Sequence, residues 1–167
     1  MTNKIATTTE IVDNYCGHKG EQLVKEFGAS YVPGRDIKDI AKDVRAIIRK
    51  AIKSGYLPAM KVSVKIERSS MCSSLDVTVT DINETVINVD AWRQQAAQNF
   101  NLSWIDCGGR LNSRGQDIMG FLELVVKSFQ RSEMHGQSDY CNVNFYEHIK
   151  FDSDILKSQF AELAECE

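Results

Sequence analysis

Between residues 37 and 52 the side chains Ile37, Ile40, Ala41, Val44, Ile47, Ile48, Ala51 and Ile52 recur at three- and four-residue steps. That spacing predicts an amphipathic helix with one full apolar stripe. Asp36 supplies an N-cap, Gly55 a C-cap, and Pro58 prevents the helix from continuing. Directly after it come two runs of strict alternation. Val62, Val64 and Ile66 alternate with Lys61, Ser63, Lys65 and Glu67, and Leu75, Val77 and Val79 alternate with Asp76, Thr78 and Thr80. Strands with one apolar face need a cover, and the preceding helix has the stripe to provide it. The serine-rich segment "ERSSMCSSLD" between them makes this a hairpin with a long tip rather than a two-residue turn.

The rest of the chain continues in the same style. Trp92, Ala96 and Phe100 indicate a helix from about Asp90, broken at Gly108 and Gly109. A second strong stripe comprises Ile118, Phe121, Leu122, Val125, Val126 and Phe129, and "YCNVNFYEHI" reads as one strand. Asp152 or Ser153 then caps a closing helix that buries Ile155, Leu156, Phe160 and Leu163. Residues 1–34 read as irregular or short-helical, with Leu23, Val24 and Phe27 on a short helix interrupted by Gly17, Gly20 and Gly28. The order α, β, β, α, α, β, α predicts an α+β fold, a small antiparallel sheet containing a β-hairpin with helices packed on one face. At 167 residues, 43% apolar and 26% charged, the chain reads as one domain over 1–167. No apolar run approaches the roughly 18 residues of a membrane span. The opening "MTNKIATTTE" carries no apolar leader, so a cytoplasmic address is expected.

Chemistry is sparse. The five cysteines, Cys16, Cys72, Cys107, Cys141 and Cys166, are odd in number and form no C-x-x-C pair, so they read as reduced thiols. Cys16 and His18 are the one close Cys/His pair, without two further ligands nearby, and no metal or cofactor is expected. Cys72 in the tip and Cys107 before two glycines are the thiols with suggestive contexts for nucleophilic chemistry. Arg110 and Arg114 flank a glycine-containing stretch that matches no phosphate-binding pattern. The acid pairs Asp36/Asp39 and Asp152/Asp154 open helices, where the dipole favours carboxylates. No catalytic residue is assigned.

Charge is distributed unevenly. Residues 35–70 hold ten Lys or Arg against four acids, whereas residues 71–167 hold seven against fifteen. On the predicted helix Lys38, Lys42, Arg45, Arg49 and Lys53 form a basic stripe. Such a stripe suits phosphates, an acidic protein surface, or plain solvation with Asp39 and Asp43 as helical partners. Lys61, Lys65, Arg68, Ser70, Met71 and Ser73 on the hairpin face and tip extend the same candidate surface.

The segment "DIAKDVRAIIRKAIKSGYLPAMKVSVKIERSSMCSSLDVTVTD" resembles the large polyvalent protein-associated domains of phages and conjugative elements. The similarity rests on Ala41, Lys42, Arg45, Arg49, Lys50, Leu57, Pro58, Lys61, Ser63, Val64, Ser73, Ser74, Asp76 and Asp81, over about residues 36–82. A weaker likeness covers about residues 138–156, and together they span under half the chain. The sequence departs from the family at Met71-Cys72, where relatives often carry Gly-Gly, and at Ile82-Asn83 in place of Gly-Pro. The resemblance implies a mobile-element protein acting inside a bacterial host, in the company of counter-defence functions, and it transfers no catalytic residue. The expectation is a non-enzymatic protein-binding protein of anti-CRISPR or anti-restriction type, whose partner is a host defence complex, one that itself contains nucleic acid in some systems. The alternative is a nucleic-acid-binding accessory protein, and a thiol enzyme comes third.

Overall fold

A computed structural model describes residues 7–13, 22–70, 72–97, 110–135 and 140–165. The apolar stripe folds as its period dictates: helix α1 (Ile37–Lys53) buries Ile37, Ile40, Ala41, Val44, Ile48 and Ala51. Each large aliphatic among them contributes roughly 2 kcal/mol on leaving water. The Asp36 side chain accepts from the Lys38 N–H at 2.8 Å and starts the helix. Ser54 is the C-cap residue, and Gly55 follows at φ 76°, the left-handed conformation that lets the chain leave the helix sharply.

Strands β3 (Met60–Arg68) and β4 (Ser73–Ile82) form the expected antiparallel hairpin, with Val64 opposite Val77 and Ile66 opposite Leu75. The ladder shifts between Lys61 and Val62, a bulge near the open end of the hairpin. Strand β7 (Tyr146–Phe151) adds to β4 in parallel, giving the sheet order β3-β4-β7. Parallel pairing needs a crossover, which runs through helices α2 (Val89–Ala97) and α3 (Ser113–Lys127). Helix α4 (Ser153–Glu165) follows β7. Helices α1, α3 and α4 pack on the one sheet face that carries Val64, Leu75, Val77, Val79 and Phe151, all in the main core. Trp92 of α2 is fully buried and stacks on Phe160 of α4 at 5.6 Å. The architecture is α+β, with helices on one face of a small sheet, as expected.

Three parts of the sequence reading are corrected. Residues within 1–34 are not short-helical: β1 (Thr7–Asp13) and β2 (Gln22–Gly28) are strands paired antiparallel. A further strand, β5 (Arg131–His135), pairs with β2, where no element was expected. "YCNVNFYEHI" is not one strand but two in different sheets, β6 (Tyr140–Val143) beside β5 and β7 beside β4. The chain changes sheets at Asn144 and Phe145. Phe145 is 1% exposed, and the Asn144 side chain donates to the Phe129 carbonyl and accepts from the Arg131 N–H. The second sheet therefore has the order β1-β2-β5-β6. It is tied to the end of α3 beside Gly28, where the Ser30 N–H donates to the Ser128 carbonyl at 2.7 Å. A Cβ on Gly28 would lie 2.3 Å from the Lys127 carbonyl oxygen, so only glycine admits this approach. Phe100, Gly108 and Gly109 lie outside the described residues.

Candidate binding surface

Helical geometry assigns the two flanks of α1 to different neighbours. Ile47, Lys50 and Ala51 face α3 and line a groove with Phe121, Leu124 and Tyr56, the Tyr56 and Phe121 rings standing 5.1 Å apart. Arg45, Ile48, Arg49 and Ile52 face β3 and, with Met60 and Val62, line a second groove of about 480 Å³. The basic stripe runs along this second flank. Lys38, Lys42, Arg49 and Lys53 are exposed, whereas Arg45 is half-buried and its Nη2 donates to the Val64 carbonyl. Arg45 is thus a clamp between α1 and β3 as well as a cation.

Among the described residues, β3 is an edge of its sheet. In an antiparallel pair, residues alternate between facing the partner strand and facing outward, and the Val64 carbonyl is one of the outward groups that Arg45 reaches. The acids that the sequence placed near the stripe sit elsewhere. Asp43 binds Arg35, which lies over the Phe129 ring at 5.6 Å. Asp39 is exposed in the first turn, on the solvent side away from β3, where the helix dipole favours it.

Lys61 and Lys65 project from the sheet face opposite α1, around the β3 edge from the basic stripe. Lys61 is bound to Asp81 at 2.8 Å, and that pair raises the Lys61 pKa and lowers the Asp81 pKa. Lys65 stands opposite Asp76 in the ladder, and Asp76 Oδ1 accepts from Ser74 Oγ at 3.1 Å and from His148 Nδ1 at 2.9 Å. Arg68 reaches back to Asp36 at 3.4 Å, joining the hairpin end to the start of α1. Ser70 is exposed and Ser73 half-buried, and Met71 lies outside the described residues. The serine-rich tip has a structural use: the Ser69 N–H and Oγ both donate to the Cys72 carbonyl, at 2.9 and 3.2 Å. This closes the hairpin without glycine.

The sequence reading missed His148 and Tyr146, which stand exposed beside Lys65 and Lys150 on the bare sheet face. Alternation in "YEHIKF" was the available signal, hidden while residues 140–149 were read as one strand. Ser74, Asp76 and His148 do not form a nucleophile–base pair. The serine and the imidazole both bond to one carboxylate oxygen, whereas a nucleophile must bond to its base. Cys72 is exposed with its sulfur 2.9 Å from Ser69 Oγ, and Cys141 is exposed. Cys16, His18 and Cys107 lie outside the described residues. Among the described residues there is no group of three or more His, Cys, Asp or Glu placed to hold a metal. No helix there is long and apolar enough to cross a membrane.

Comparison with known proteins gives no family model, no curated protein and no solved structure that matches the chain.

Proposed function

We propose that this chain is a non-enzymatic binding protein whose working surface is the basic flank of α1 together with the adjoining β3 edge, and whose partner is an acidic protein surface. One observation carries the reading: four exposed cations, Lys38, Lys42, Arg49 and Lys53, line the flank beside an edge strand, while Asp43 is engaged by Arg35. Cations set beside an apolar groove suit electrostatic steering and register more than bulk affinity. Within this proposal the partner is a subunit of a bacterial defence complex of CRISPR or restriction type. That part rests on the resemblance of residues 36–82 to domains carried by phages and conjugative elements.

The experiment is capture of tagged protein partners from bacterial lysate, with and without nuclease, beside a Lys42→Glu/Arg49→Glu variant. These two residues are exposed, so the variant keeps the fold, whereas reversing Arg45 would remove the hydrogen bond to Val64. A protein recovered after nuclease treatment and lost in the variant supports the proposal. Recovery that nuclease abolishes replaces it with a nucleic-acid-binding function. Equal recovery by both proteins removes the basic flank from the account.

A further inference from the structure

We infer that the groove between α1 and β3 takes an extended segment of the partner protein as an added strand, one that alternates apolar and acidic side chains. The inference rests on the binding reading above and specifies the occupant and its mode of docking.

Among the described residues β3 ends the sheet order β3-β4-β7, so its outward N–H and C=O groups form a ladder that no described strand uses. A polypeptide backbone matches that alternation of donors and acceptors, and a phosphate backbone does not. The floor of the groove is apolar, with Ile52, Met60 and Val62 partly buried against the core. Side chains of an added strand alternate between the two sheet faces, so every second residue points toward α1 and meets this floor, and those between point to the opposite face, where Lys61 and Lys65 stand. Arg45 and Arg49 flank the floor on the α1 side, and Lys61 borders the groove from the opposite side. Apolar residues toward α1 and carboxylates on the opposite side, facing Lys61 and Lys65, are the matching pattern. The bulge between Lys61 and Val62 breaks the ladder, so pairing is expected along Val62–Ile66.

Arg45 supplies the exchange that makes docking reversible. In the free protein its Nη2 donates to the Val64 carbonyl, the bond that an incoming strand's N–H would make. On strand addition the peptide N–H replaces the guanidinium at Val64, and the released guanidinium turns to solvent at the mouth of the groove. The Val64 carbonyl is thus satisfied in both states.

The test is an NMR titration of the whole chain with a synthetic peptide alternating Val and Glu, with a Val/Lys peptide as control, at up to millimolar concentration. Slowed hydrogen exchange and shifted amide resonances at Val62, Val64 and Ile66, with the Val/Glu peptide only, are expected. Two variants separate insertion from charge attraction. Lys65→Glu removes a cation on the side the carboxylates face, and Ile52→Arg fills the groove while adding positive charge. Both should weaken binding by about tenfold or more. Undiminished binding by the Ile52→Arg variant or no protection of the β3 amides would each overturn the inference. If the β3 amides stay unprotected while lysate capture still depends on Lys42 and Arg49, strand addition falls and the binding surface stands. If neither depends on them, both fall.

Discussion

The two sheets of this protein are built on different terms. The three-stranded sheet buries Val64, Leu75, Val77, Val79 and Phe151 beneath three helices. The four-stranded sheet has only Leu23, Gly28 and His135 buried among its described residues, and it leaves Ile11 54% and Met134 57% exposed. One is held by a shared core. The other is held by its ladder and by the close approach at Gly28. The difference shows that a layered core, not strand count, sets where stability concentrates.

The contrast is broken most directly by core truncation. Leu75→Ala, at a fully buried site, should cost about 3 kcal/mol of global stability, read by denaturant unfolding. Gly28→Ala should cost about 2 kcal/mol, because backbone at Lys127 and Ser128 must move to admit the Cβ. Hydrogen exchange should show that cost concentrated in β2 and β5. Arg45→Met should cost about 1 kcal/mol, since the hydrogen bond to Val64 is partly exposed, and the uncovered edge should favour concentration-dependent self-association by sedimentation. Ile11→Ser should change stability by less than about 0.5 kcal/mol.

A pH scan gives the smallest effect. The depressed Asp81 pKa adds stability that is complete above the ordinary carboxylate range and lost as pH falls through the lowered value. The raised Lys61 pKa adds stability that is present below the ordinary lysine range and lost as pH rises through the raised value. Both side chains are exposed, so Asp81→Asn should flatten the acid limb only slightly.

The same contrast explains what the sequence displayed. Burial of one face writes a period into the chain: α1 and the β3–β4 hairpin were legible because their inward residues had to be apolar. Strand β1, Thr7–Asp13, is almost wholly exposed and carries no alternation. In β2, Leu23, Val24 and Phe27 fall at helical spacing although the ladder turns Leu23 and Val24 to opposite faces. Strand β5, Arg131–His135, is short and polar. These strands are specified by pairing partners distant in sequence, which local periodicity does not record. The candidate surface was legible in part. The stripe of Lys38, Lys42, Arg45, Arg49 and Lys53 came from helical spacing alone. That Arg45 is engaged with Val64, Lys61 with Asp81 and Arg68 with Asp36 depends on tertiary placement, and so does the position of β3 at a sheet edge.

Arg49 and Lys50 are neighbours in sequence, both exposed, and they line opposite flanks of α1, Arg49 toward β3 and Lys50 toward α3. Arg49→Glu and Lys50→Glu change net charge equally, so quantitative partner capture by the two variants isolates position from charge. Arg49→Glu is expected to lose most of the captured partner while Lys50→Glu retains it. Equal loss in both variants would contradict a surface centred on the β3 side of α1.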